Sequence, residues 1–495
     1  MPDSLSSLTP QTAWQPLPSA QWDEAAARHL LQRIGFSATP AELALTLHEG
    51  PTGAIGRYFA RMPDLPAPTS VTKLAAEAPQ MAKVLQGTEG PEKQRARQQS
   101  AERAREALFD LTLAWLQQAA RPECAPAEKW LLFLSNLWVV SVEKVKNTAL
   151  IYQHQDLLRR TALGSASLLA KVMTRSPAMV MYLDLQESKR EAPNENFARE
   201  LFELFTLGEG HYTEQDIKQS ARAFTGYRQR FGEFTFVPRQ HDDGEKTIFG
   251  HTGRFTGDDV IDLIFRQPAA GSHVPREMVG FYLSETPLPD GFTDALGSSW
   301  AGSGYDLPHL LRTFFSSRAF YAADFRDNFI KSPVQFYLGL TQDLQLDVAP
   351  LPRRVIGVLR QMGQLPFDPP NVRGWVGGRA WINSATLSAR RLLIESLVHP
   401  LNRNALNADE LAALDAAQTK GPARYALSNE QCADWGRLPP AEAADQLLSH
   451  SLPARRGSAV AAQIAAFLAD GRSQPAATAR AALATLLESP DYQLC

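Results

Sequence analysis

Two glutamates three residues apart, Glu200 and Glu203, lie inside the stretch NENFARELFELFTLGEGHYTE that runs from Asn194 to Glu214. On a helix that spacing sets both carboxylates on one side. Paired carboxylates suit acid–base chemistry, because neighbouring charges push their pKa values apart, and they equally suit a hard divalent cation, which takes oxygen ligands. A second cluster is HDDGEK, from His241 to Lys246. His241 and Asp242 there could serve as a general base and its partner, or as metal ligands. A third is NVRGWVGGRAWIN, from Asn371 to Asn383, which sets Trp375 and Trp381 among Asn371, Arg373 and several glycines. Aromatics beside amides fit the rim of a sugar or peptide site, and a long irregular loop inside a compact domain is usually functional or disordered. Each cluster has a plain structural alternative: a solvated helix face, an Asp-Gly turn and a loop that plugs a helical core.

The elements that must position these residues are helical. At about 100° per residue, Phe197, Leu201, Leu204 and Phe205 share one side, with Phe202 at its margin. Glu195, Asn196, Arg199, Glu200, Glu203 and Thr206 fall on the other. Glu195 with Arg199 and Arg199 with Glu203 are i,i+4 pairs of opposite charge. Gly208 and Gly210 end the helix, and Thr213 with Asp216 predicts a capping box for the next one. Further on, YRQRFGEFTFVPRQHDDGEKTIFG is aromatic and turn-rich, which predicts a small β-hairpin near 227–255 carrying the His241–Gly244 loop.

At 495 residues, with 44% hydrophobic and 21% charged, the chain can bury a large core, as two to four domains or as one large helical body. Lys plus Arg is 50 against Asp plus Glu at 53, which leaves no basic field for nucleic acid. Cys124, Cys432 and Cys495 are odd in number and scattered, so neither a disulfide framework nor a metal knuckle is expected. No apolar run reaches membrane-spanning length; the longest candidate, LLFLSNLWVV at 131–140, is short and interrupted, so no membrane insertion is expected. The opening MPDSLSSLTPQTAW lacks the regions of a signal peptide, from which a cytoplasmic location is expected. HExxH, GxSxG and Walker patterns are missing. Ser141 and Lys144 match SxxK, but without the SDN or KTG partners that would give the match weight.

The predicted architecture is mainly α: a large multi-helical globular body with a small β-hairpin insertion. Residues 1–20 are predicted as a flexible tail, 21–400 as the helical core, and 401–495 as Ala-rich helices packed on it. Buried helices are expected over 128–185, with Trp130, Phe133 and Trp138 as core.

Taken in order, RHLLQRIGFSATPAEL (28–43), RSPAMVMYLD (175–184), the Asn194 stretch, ARAFTGY (221–227), HDDGEKTIFG (241–250) and PPNVRGWVGGRAWINSATLSAR (369–390) resemble the bacterial family catalogued as domain of unknown function 1800. The resemblance implies a mostly helical protein. It also implies relatives that are often exported and often encoded beside a sulfatase-like partner of the family catalogued as domain of unknown function 1501. A motif that fixes Asn194, Glu195, Asn196, Arg199, Glu200 and Glu203 together implies a polar network rather than a wet face. The chain departs from the family where relatives carry Trp-His-Asn-His-Phe: it reads LSNLW at 134–138, with Ser135 and Leu137 in the histidine positions. If those histidines hold a metal in relatives, two ligands are lost here, which weakens the expectation of a divalent metal cofactor.

The function expected from these residues is a hydrolase-like enzyme acting on a polar polymer such as a polysaccharide. Glu200 or Glu203 would be the acid/base, with His241 and Asp242 alongside and Asn194, Asn196 and Arg222 lining the pocket. Arg199 or Lys246 would hold an anionic group, and Asn371, Trp375 and Trp381 would stand at the mouth. The alternative is a non-catalytic scaffold or binding protein that works with the sulfatase-like partner, its polar network serving the fold.

Overall fold

The helix Ala125–Leu137 runs through the centre of the molecule and shows why the chain folds as it does. Pro126 opens it, where a missing N–H costs nothing, and nearly every residue along it is buried, including the charged pair Glu128 and Lys129. Successive residues on a helix point about 100° apart, so the two charges leave in different directions. Glu128 accepts two bonds from Arg159, at 2.6 and 2.9 Å, and others from Trp115 and Gln118. Lys129 turns instead toward Gly35 and Gln335. Around this axis pack the helices Glu24–Ile34, Gly90–Ala119, Thr148–Thr161 and Pro268–Tyr282. Trp130 stacks on Phe133 and donates its indole N–H to Ala162 O.

The computed structural model describes residues 3–471 and 473–495. The fold is mainly α, with two small two-stranded antiparallel sheets among the described residues. The expected single hairpin is thus two. β1 (Tyr227–Arg230) pairs with β2 (Glu233–Phe236), and β3 (Lys246–Ile248) pairs with β4 (His251–Gly253). Both turns are Phe-Gly, at 231–232 and 249–250, with both residues of each at positive φ, the mirror-image geometry that follows strand twist. The His241–Gly244 loop lies between the hairpins and turns neither of them.

The N-terminal segment expected as a tail is packed. Leu8, Ala13, Trp14 and Leu17 are buried. Trp14 donates to Phe292 O at 2.7 Å, and the backbone of Ala13 and Leu17 bonds to Ala319 and Ser316. The apolar pattern of this stretch is too short to read locally; its partners lie some three hundred residues away. The C-terminal helices pack on Ser384–Val398 through Pro475–Glu488, and Arg480, buried between them, reaches Asn429 and Val398 O. Cys124, Cys432 and Cys495 are buried free thiols. Among the described residues no helix is long and apolar enough to cross a membrane.

Candidate functional site

The Asn194 stretch is not one regular helix. Asn194 caps Glu195–Glu200 by accepting from Asn196 N, and beyond it residues 201–206 widen into a π-helical turn. Leu207 N bonds back to Phe202 O, and Thr206 Oγ1 to Leu201 O, each five residues earlier. The widening shifts the expected faces. Phe202, expected at the margin, is fully buried, while Leu204 is only partly so. Arg199 does not meet Glu203. It pairs with Glu195 at 3.5 Å and takes Glu214 with two bonds of 2.8 and 2.9 Å. The capping box of Thr213 and Asp216 forms as the sequence predicts.

The polar motif residues separate into three groups. In the first, Asn194 and Asn196 donate their amides to the carbonyls of Asp184 and Leu183, tying the helix start to the preceding turn. In the second, Arg222 grips Asp242 with bonds of 2.6 and 3.0 Å, which holds that carboxyl below its usual range. Lys246, itself buried, donates to the carbonyls of Asp242 and Gly244. His241 Nδ1 meets Thr225 O at 3.0 Å, and its ring lies against Phe236. These groups are turned inward onto backbone, as clamps are.

Glu200 and Glu203 form the third group. Glu203 accepts from Arg373 at 2.9 Å and from Tyr212 at 3.2 Å, and Arg373 also reaches Glu209. Among the described residues Glu200 has no hydrogen-bond or ion-pair partner; burial, then the Glu203 charge, raise its carboxyl. Burial, with the charges of Glu200 and Asp368, pushes the Tyr182 phenol up to about 12. No hydrogen bond or ion pair among the described residues joins Glu200 or Glu203 to His241 or Asp242. Nor do three or more His, Cys, Asp or Glu side chains converge to hold a metal among those residues. Ser141 bonds to Asp368 and Lys144 to Asp184, so the SxxK pair is split.

The third sequence cluster builds a cavity. The loop from Asn371 to Trp381 is held down by Asn136, the central residue of LSNLW, whose Oδ1 accepts Trp375 N at 2.8 Å. Gly374 allows this contact: its φ is 78°, and a Cβ there would run into Asn136 Oδ1. Asn371 Oδ1 accepts Arg373 N and shapes the turn. Beneath the loop, between Ala125–Leu137, Pro268–Tyr282 and Pro333–Asp343, lies a cavity of about 230 Å³. Trp375, Trp381, Phe281 and Phe329 give it aromatic walls; Asn136, Gln335, Gln364 and Glu277 give it polar ones. Glu277 stands at the rim, exposed along one side, and the desolvating walls raise its carboxyl. Leu137 lines this cavity, whereas Ser135 faces another, smaller space, where it donates to Gln155 at 2.8 Å. Sequence reasoning found the tryptophans but missed Lys129, Glu277 and Gln335. The available signal was Lys129 itself, a charge within the apolar run that forms the central helix.

No curated protein and no solved structure matches the chain. One family model does, over residues 29–494, described as protein of unknown function, DUF1800. The motifs that tie the Asn194 helix, clamp the HDDGEK loop and roof the cavity all fall within that span, and the chain belongs to the DUF1800 family.

Proposed function

We propose that the chain is a binding protein for a small, polyhydroxylated ligand of about monosaccharide size, held in the cavity beneath the Asn371–Trp381 loop. The observation that carries this reading is the make-up of that cavity. Aromatic side chains stand beside two glutamines, an asparagine and a rim carboxylate, the mixture that fixes a ring with an apolar face and polar edges. The inward-turned bonds of Asn194, Asn196, Arg222, Asp242 and Lys246 support the companion idea that these residues fix the scaffold. The test is Trp fluorescence titrated with a panel of monosaccharides, against a variant that fills the space. Gly280 lines the cavity, and a Cβ there meets nothing within 4 Å, so Gly280→Leu should abolish binding with little change in melting temperature. Equal quenching in both proteins would sink the reading. The sulfatase-like partner implied by the resemblance belongs to this reading as donor or acceptor of the ligand, and the solution mass of the two purified proteins mixed together tests that association.

A second reading, hydrolysis of a polar polymer, is favoured by Glu200 alone: an unpartnered carboxyl held above its usual range beside Tyr182 is suited to a general acid. Release of reducing sugar from oligosaccharides, unchanged in Glu200→Gln, would remove it.

A further inference from the structure

The cavity contains an amine that the binding reading does not use. Lys129 is buried on the central helix, and its Nζ is held 2.8 Å from Gly35 O and 3.0 Å from Gln335 Oε1, with Gln32 O farther off at 3.4 Å. Gln335 and Phe36, which flank the nitrogen, line the cavity with Lys129 itself. No carboxylate among the described residues pairs with it, although buried lysines are almost always paired. Its other neighbours are the rings of Phe36 and Tyr282, at 5.7 and 5.9 Å from Nζ.

The two short acceptors can take both hydrogens of a neutral amine, and the 3.4 Å contact to Gln32 O is the one given up when the ammonium loses its third proton. Burial is the main force in that direction, bringing the ammonium down to about 7; nearby Cys495 opposes it, while the Arg33 and Lys331 cations add to it. Lysines that are desolvated or set near another cation are the ones that form imines. Exposed lysines, by contrast, remain protonated at neutral pH.

We infer that Lys129 is an imine-forming residue, and that the cavity takes small hydroxylated aldehydes or ketones, such as sugars in their open-chain form. This rests on the cavity-binding reading and narrows its ligand class. Nζ adds to the carbonyl carbon as the carbonyl π bond breaks, and a proton moves from nitrogen to the new alkoxide to give a carbinolamine. Loss of that hydroxyl with the remaining N–H proton gives the C=N bond and one water, with no oxidant or reductant. Glu277, the other titratable side chain lining the cavity, is the local proton carrier.

The experiment exposes the full-length protein briefly to glyceraldehyde and cyanoborohydride at pH 7 and maps the adduct by peptide mass. Adduct concentrated at Lys129, at least tenfold over any exposed lysine and suppressed by Gly280→Leu, is the expected result. Adduct spread over exposed lysines with Lys129 unmodified overturns the inference, and no Lys129 variant has to fold for this to be read. A parallel fluorescence titration with the matching alditol, which has no carbonyl, separates the two ideas. If the alditol binds while Lys129 stays unlabelled, only the imine fails; if neither binds, the cavity reading fails with it.

Discussion

Replacing Gly374 with alanine tests how the loop over the cavity is held. At φ 78° a non-glycine residue costs about 1–2 kcal/mol. The added Cβ also runs into Asn136 Oδ1 and comes within 3.0 Å of Asn136 O, which pushes the loop away and breaks the 2.8 Å bond to Trp375 N. That bond contributes roughly 0.5–1.5 kcal/mol, so the loop should lose about 1.5–3.5 kcal/mol in all. Since 1.4 kcal/mol is about tenfold, hydrogen exchange of a peptide spanning 371–383 should accelerate by about 10- to 300-fold. Asn136→Ala gives the decisive control. In that background the bond is already gone and the Oδ1 clash with it, so Gly374→Ala should cost only its conformational part and the close approach to Asn136 O. The two changes together should fall short of their sum by about 1 kcal/mol. Exchange within threefold of wild type in Gly374→Ala, or strict additivity of the pair, would refute the clamp.

Three more expectations follow from other parts of the molecule. Arg159→Met strands the buried Glu128 carboxylate and should cost about 3–5 kcal/mol in denaturant melts, while Glu128→Leu with Arg159→Met should recover most of it; a double variant as unstable as the single would contradict this. Burial holds His154 and His273 down to about 4, below the unfolded value near 6.5, so their contribution is complete above about pH 6.5 and is lost as pH falls toward 4. The slope is up to about 1.4 kcal/mol per pH unit for each, and unfolding free energy that does not fall between pH 7 and 5 would disprove it. Finally, positions 135 and 137 open into different spaces, so Ser135→His with Leu137→His should not create a shared metal site; stoichiometric metal by elemental analysis, lost in either single variant, would show otherwise.

The helices and the capping box at Thr213 were legible because their signals are local: a periodicity of 3.6 and a side chain reaching its own third neighbour. The tryptophan loop was legible as a place, through its Pro and Gly content, but not as the roof of a cavity. The cavity is made by Leu132, Phe281, Gln335 and Trp375 arriving from four separate parts of the chain, and nothing in a one-dimensional pattern records such an encounter. A shared pocket for Glu200 and His241 was expected because both sit in specific motifs, but a motif does not say what each residue bonds to, and some serve as clamps, as Arg222 and Asp242 do. Phe202 and Leu204 changed places for a further reason: a wheel assumes a constant angle per residue, and the turn at 201–206 does not keep it.

That widened turn has a consequence for how the family's genes can vary. A π turn accommodates one residue more than an α turn over the same rise, so it behaves as a stored insertion. Deleting a single codon within 201–206 would let the helix close to α geometry with its hydrogen bonds intact. Because the turn absorbs its extra residue locally, the chain beyond Leu207 would keep its register, and the change would fall on the side chains inside the turn: Glu203, which meets Arg373, and Phe202, which packs on Tyr212 and Phe249. Length at this point can therefore vary by one residue without displacing the elements on either side. A relative one residue shorter there should show compensating changes at the Arg373 and Phe249 positions.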